Sequence, residues 1–169
     1  TGNTARYWSW YEDYPENFDE NIKDRYLGTD YHIASGLKYK ILSDNIGYIY
    51  YGDFSESVSN GIINDMLSYL AICNGIIIDV RNNGGGLMAN SSTLASHFTD
   101  KKVLTGYVQH KTGNGHNDFS KPYAIYLDPS DGIRWQKKVI ILTNRHCFSA
   151  TNDFVNNMHC LPLVTILGD

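Results

Sequence analysis

Two short apolar runs limit what this chain can fold into more than any other feature: GIIIDV at 75–80 and KVIILT at 138–143. Both are dense in β-branched and other aliphatic residues and lack the alternation of a half-exposed strand, so they read as strands buried on both faces. The usual host for such strands is a parallel sheet covered by helices. Each run is followed by a turn and then by apolar residues at helical spacing, so each opens a βα unit. With right-handed crossovers, both turns fall at the carboxyl ends of strands, and they can lie side by side there. The expected fold class is therefore α/β, with a mostly parallel sheet built from βαβ units.

The remaining segments fit around those units. GLKYKIL and YIYYGDF flank an Asp44-Asn45 turn and predict a β-hairpin ahead of the parallel strands. Ile62, Ile63, Met66, Leu67, Leu70 and Ala71 recur at helical intervals, with Ser55 or Ser57 as N-cap and Asn74-Gly75 as the stop. Leu87, Leu94, Ala95 and Phe98 mark a second helix. Ala150, Phe154, Val155, Met158 and Leu161 mark a third, which Pro162 ends. Val103 to His110 and Tyr123 to Leu127 read as strands joined by a polar loop, Lys111 to Pro122, that is mobile or faces substrate. LVTILGD closes the chain as a strand. Residues 1–35 are acidic and aromatic without periodicity; they read as a segment wrapping the surface, with one short helix near Glu16 to Tyr26.

Composition removes several function classes. With 169 residues, 42% of them hydrophobic, the chain is about one domain and can bury a sizeable core. A net charge of −4 leaves no basic footprint for nucleic acid or an anionic membrane. No apolar run approaches the roughly 20 residues of a transmembrane helix. Cys73, Cys147 and Cys160 are an odd set without CxxC spacing, which points to free thiols rather than a disulfide framework or a zinc site. No metal or other cofactor is expected. The chain opens at Thr1 with no leader pattern and reads as an excised piece of a longer protein.

Chemistry concentrates at the two turns. Ser149 sits where KVIILT gives way to a helix, a place that suits a capping hydroxyl and a presented nucleophile equally well. The glycines of NNGGG admit three uses: cradling phosphate, supplying positive φ to a tight turn, or letting a bare backbone N–H approach a reacting carbonyl. The first is disfavoured, because NNGGGL fits neither GxGxxG nor GxxxxGK[ST]. If the third holds, the N–H groups of Ala150 and of a glycine converge with the Ser149 hydroxyl on one spot, the arrangement of an acyl-transfer site.

GIIIDVRNNGGG, VIILTNRHCFSATNDF and the closing TILGD together resemble the S41 family of serine peptidases, which includes the carboxyl-terminal processing proteases and the tricorn core protease. Asn144, Ser149, Ala150 and Phe154 match the second motif, while Asn152 stands where an acid is usual. The resemblance covers Ile46 to Asp169. It implies a crotonase/ClpP-like core over residues 36–169, truncated at its C-terminal end, and a peptidase that forms an acyl-enzyme on Ser149. Ala150 and Gly85 or Gly86 would then supply the oxyanion hole, and a peptide or protein would be the substrate. It also implies a general base outside these residues: a lysine after the closing Gly168-Asp169, or a histidine in an upstream DGH segment. Of the histidines present, His146 lies three residues before Ser149 but at a position the family uses for turn residues. His159 falls at a helix end, and His32, His97, His110 and His116 read as surface or loop residues. Asp79 and Arg81 read as a pair that organises the turn. The alternatives are a non-catalytic ligand- or peptide-binding module on the same core, as in the retinoid-binding proteins, and a crotonase-like acyl-CoA enzyme. The family commonly acts in the periplasm, at the cell envelope or as a secreted protein.

Overall fold

A computed structural model describes residues 17–168. Residues 1–16 of the expected wrapping segment, and Asp169, lie outside the described residues. The first element is helix α1 (Glu20–Leu27), whose Asp19 cap accepts from the Asn21 and Ile22 N–H groups. Strand β1 (His32–Ala34) pairs antiparallel with β2 (Leu37–Ile41), and β2 with β3 (Ile46–Tyr51). The β2–β3 hairpin turns at Asn45, whose φ of 58° suits the left-handed region that Asn tolerates. β1 falls within the segment expected to wrap the surface and is hydrogen-bonded into the sheet.

From β3 onward the sheet is parallel. β3 pairs with β4 (Gly75–Asp79), β4 with β7 (Lys138–Thr143) and β7 with β8 (Val164–Gly168), giving the order β1-β2-β3-β4-β7-β8. The two apolar runs at 75–80 and 138–143 are therefore adjacent central strands, in register from Gly75 opposite Lys138 to Asp79 opposite Leu142. β5 (Val103–Val108) and β6 (Tyr123–Leu127) form a separate antiparallel pair. The α/β class, the mostly parallel sheet and the hairpin preceding it are all present.

Helices α2 (Asn60–Tyr69), α3 (Met88–Ser96) and α4 (Ala150–His159) contribute to one continuous core with the sheet. Ile49, Tyr51, Ile76, Ile78, Val80, Val139 and Ile141 from the strands meet Ile63, Met66, Leu94, Phe154 and Met158 from the helices. Four details depart from the sequence reading. The cap of α2 is Ser59, whose hydroxyl accepts from Ile62 N–H; Ser55 instead sits in an Asx turn on Asp53. Ala71 is exposed, because the chain tightens into a 3-10 turn at Leu70–Ile72 and rotates it outward. Leu87, counted on the buried face of α3, precedes the helix and is exposed. His97, expected at the surface, is fully buried.

His97 occupies a satisfied polar pocket. Its Nδ1 lies 2.6 Å from Ile133 O, so that nitrogen carries the proton. Its Nε2, an acceptor in this tautomer, takes the Ser130 hydroxyl at 3.1 Å, and Asn60 Oδ1 lies 3.1 Å away beside it. Burial holds its pKa below the ordinary histidine value of 6.5 and keeps the ring neutral.

Candidate active site

The carboxyl ends of β4 and β7 carry the two turns singled out in the sequence, and the strand pairing sets them against each other. Asp79 ends β4 fully buried, yet it is paired: Arg81 Nη2 donates to its Oδ2 at 2.6 Å, Arg81 Nε to its Oδ1 at 2.9 Å, and Tyr48 Oη to Oδ2 at 2.8 Å. The hydrogen bond to Asp79 raises the Arg81 pKa further, and burial first, then Asp79, pushes the Tyr48 hydroxyl up. Arg81 Nη1 also donates to Asn17 O at 2.7 Å, which ties the start of the described chain to this turn. Arg81 N–H also donates to Asp79 Oδ1 at 3.1 Å, so the Asp79–Arg81 pair organises the start of the turn.

Polar side chains then stitch turn to turn. Asn144 and Asn82 bond reciprocally: Asn82 N–H donates to Asn144 Oδ1 at 3.0 Å, and Asn144 Nδ2 to Asn82 Oδ1 at 2.6 Å. The Cys147 thiol donates to Val80 O at 3.1 Å, and burial raises its pKa, so it is a structural thiol. Cys73 and Cys160 are free as well. Phe148 N–H donates to Asn83 O at 3.2 Å.

These ties bring Ser149 and Gly85 into contact. A Cβ on Gly85 would lie 2.7 Å from Ser149 Cβ, 2.6 Å from Phe148 O and 3.0 Å from Ala150 N, so only glycine permits the approach. Gly86 is as tightly held on its other side, where a Cβ would meet Phe54 O at 2.5 Å, and Phe54 pairs with it in an isolated parallel bridge. Gly85 adopts φ of 99° and Gly86 of 146°.

Ser149 itself adopts φ 55°, ψ −122°, and its side chain makes no capping bond to α4. A side-chain capping role is therefore absent. The conformation is one that non-glycine residues rarely hold, at a cost of order 1–3 kcal/mol, and it turns the residue outward at the strand-to-helix junction. Ser149 is exposed, and its Oγ has no hydrogen-bond partner among the described residues. The N–H of Ala150, the first residue of α4, and the N–H of Gly86 likewise have no acceptor there. The Gly85 N–H does, donating to Asn83 Oδ1 at 2.9 Å. An exposed hydroxyl on a strained turn beside backbone donors without acceptors can carry acyl transfer.

Sequence reasoning passed over several residues that build this place. Asn83, Asn90 and Thr151 are buried. Asn90 takes Val58 N–H on its Oδ1 and donates to Phe54 O and Glu56 O, which fixes the segment that Gly86 packs on. Asn152, at the acid position of the motif, is exposed; the acid of this helix turn is Asp153, which accepts from Ser91 Oγ at 2.6 Å and Asn157 Nδ2 at 3.1 Å. For Asn90 and Thr151 the available signal was a polar residue at a position of α3 or α4 that the helical period turns inward; Asn83, in the turn, carried none.

Four of the histidines are placed elsewhere. His97 is in its own pocket, His110 bonds Tyr123 Oη at 2.7 Å, His32 stacks on Tyr39, and His159 is exposed at the last turn of α4. His146 lies on the turn itself, where its backbone N–H donates to Asn144 Oδ1 at 3.2 Å.

The parallel α/β sheet thus sets a strained serine, at a strand-to-helix turn, against a glycine turn. The profile of peptidase family S41 matches residues 45–169, and the chain belongs to that family. A crystal structure of a candidate peptidase from Parabacteroides merdae ATCC 43184 is 57% identical over 96% of this chain, with a TM-score of 0.92. The chain spans about half of that protein, 52% of its length. The photosystem II D1 C-terminal processing protease shares the fold at 19% identity and a TM-score of 0.52, over 72% of this chain and 29% of its own. A lipoprotein from Streptococcus agalactiae does so at 21% identity and a TM-score of 0.52, over 87% and 52%.

Proposed function

We propose that this chain is the nucleophile-bearing part of a serine peptidase. A base removes the Ser149 Oγ proton as Oγ attacks the scissile carbonyl carbon, and the carbonyl oxygen becomes an oxyanion facing the N–H groups of Ala150 and Gly86. Collapse breaks the C–N bond, and the base returns its proton to the leaving amine. Water then hydrolyses the acyl ester on Ser149 and restores the hydroxyl. Of the two candidate glycines, Gly86 is the donor in this reading, since Gly85 N–H is committed to Asn83. Gly85 provides the close approach to Ser149.

The observation that carries the reading is the Ser149 backbone, φ 55° and ψ −122° with an exposed hydroxyl beside the glycine turn. A binding module has no use for that strain. The base comes from outside residues 1–169, which accords with the share of the Parabacteroides merdae protein that this chain leaves uncovered. Substrates are peptides or proteins. An envelope location is supported by the lipoprotein among the fold's relatives, and no described helix is long and apolar enough to cross a membrane.

A fluorophosphonate probe tests both parts. In a chain extended at both ends it labels Ser149 rapidly and stoichiometrically, whereas residues 1–169 alone label slowly or not at all, because an unassisted serine hydroxyl is a weak nucleophile. Label on another residue would remove Ser149 from the mechanism. Equally fast labelling of residues 1–169 would place the base within them, with His146 the first to examine.

A further inference from the structure

An oxyanion hole divided between two turns works only while the turns keep a fixed relation, and glycines are poorly suited to keep one. Gly84, Gly85 and Gly86 have no side chains to lock their backbone. We infer that Asn83 is the positioning residue that aims both donors, an assignment that rests on the acyl-transfer reading above.

Asn83 is fully buried, and each polar atom of its side chain is spent on a different element of the site. Nδ2 donates to Tyr51 O, at the end of β3, at 2.7 Å. Oδ1 accepts from Gly85 N–H at 2.9 Å and from the Thr151 hydroxyl, in the first turn of α4, at 2.6 Å. Its backbone oxygen takes Phe148 N–H, one residue before Ser149. One residue thus joins β3, the glycine turn, the serine turn and α4.

Those bonds have a directional consequence. Gly85 O accepts from Phe54 N–H at 2.9 Å, and in a planar trans peptide the following N–H points opposite to that carbonyl. Gly86 N–H therefore points away from Phe54. The Asn83 bond to Gly85 N–H restrains the same glycine from the other side, so the Gly85–Gly86 peptide cannot rotate about its soft dihedrals. On the opposite turn, the Phe148 and Thr151 bonds flank Ser149 and Ala150, which fixes where Ala150 N–H points. A residue that merely filled space would need none of these four contacts to converge on the two donors.

The test uses the full-length protein in four forms beside wild type: Ser149→Ala, Asn83→Ala, Thr151→Val and Thr151→Ser. Peptide hydrolysis is measured as kcat and KM, together with inhibition by a peptide boronate, whose adduct resembles the tetrahedral intermediate. Misaimed donors matter in the transition state and little in the ground state, so Asn83→Ala is expected to lower kcat about 100-fold with KM within about twofold. Boronate affinity should fall by a similar factor. Thr151→Val, which removes one of the four contacts, should lower kcat about tenfold, and Thr151→Ser should restore it. If Asn83→Ala does not fold, the Thr151 pair carries the test alone. Folded variants of either residue that keep kcat within twofold of wild type overturn the assignment, as does a loss confined to KM. Retained hydrolysis by Ser149→Ala would instead bring down the acyl-transfer reading itself, so the two failures are distinguishable.

Discussion

Two polar knots are buried in this molecule, one between the β4 and β7 turns and one around His97, and they are built on opposite terms. At His97 each ring nitrogen has its partner: Ile133 O on one side, the Ser130 hydroxyl on the other. At the paired turns the buried members, Asn83, Asn144 and Thr151, are equally satisfied, but they hold up a rim that is not. Ser149 sits at φ 55°, and the N–H groups of Gly86 and Ala150 point at no acceptor among the described residues. A serine and a histidine in contact therefore mean less than they seem to promise. The Ser130–His97 pair has the atoms of a catalytic dyad and the environment of a structural pin, whereas Ser149 is an exposed residue held in a strained backbone region.

That contrast can be broken by substitution. Ser149→Gly removes the hydroxyl and also frees the backbone from its unfavourable region. In the full-length protein it should lower turnover by about five to six orders of magnitude while raising unfolding free energy by about 1 kcal/mol. Denaturant titration checks the second half; a loss of stability would show that the turn is not strained. His97→Ala should do the reverse. It leaves Ile133 O and the Ser130 hydroxyl short of partners inside the protein, at about 1–3 kcal/mol each before relaxation, so a net loss of about 3 kcal/mol is expected. The rate at which folded molecules react with fluorophosphonate should not change, and a slower rate would join the two knots functionally.

The smallest effect is pH dependence. His97 is held neutral when folded, so its pKa is below the 6.5 of an unconstrained histidine. Below that pH the unfolded chain binds a proton that the folded one refuses, and the folded state loses ground. The stability contribution is intact above about pH 6.5 and declines as pH falls, by at most about 1.4 kcal/mol per unit. His97→Gln should flatten that slope in a series of melts between pH 7 and 5. An unchanged slope would assign the acid sensitivity to other groups.

Much of this arrangement was legible from residue patterns because period and composition report burial directly. The runs at 75–80 and 138–143 were rich enough in aliphatics to announce central parallel strands, and adjacency of their turns followed from topology. Helix α4 was equally plain, since Phe154 and Met158 fall on one face and Pro162 cannot continue it. What stayed hidden was pairwise. Nothing in the sequence says that Gly85 N–H goes to Asn83 rather than to a reacting oxygen, or that Ser59 outcompetes Ser57 as a cap. The strain at Ser149 was invisible for the same reason: it is imposed by tertiary contacts at Phe148 and Thr151, and no local propensity encodes it. His97 was misplaced because histidine is usually found near water, and its neighbours Asn60 and Ser130 lie far from it in the chain.

The parallel register of β4 and β7 has a consequence in time as well as space. The paired residues, Gly75 with Lys138 through Asp79 with Leu142, are separated by about 60 residues of chain, and contacts of that separation form late because loop closure must come first. The glycine turn reaches Ser149 only across that pairing. A chain emerging from the ribosome, or one partly unfolded by heat, can hold α2 and the β2–β3 hairpin without ever placing the serine beside its donors. Closure of this site is thereby a property of the completed sheet: the serine turn and the glycine turn meet only once β4 and β7 have paired.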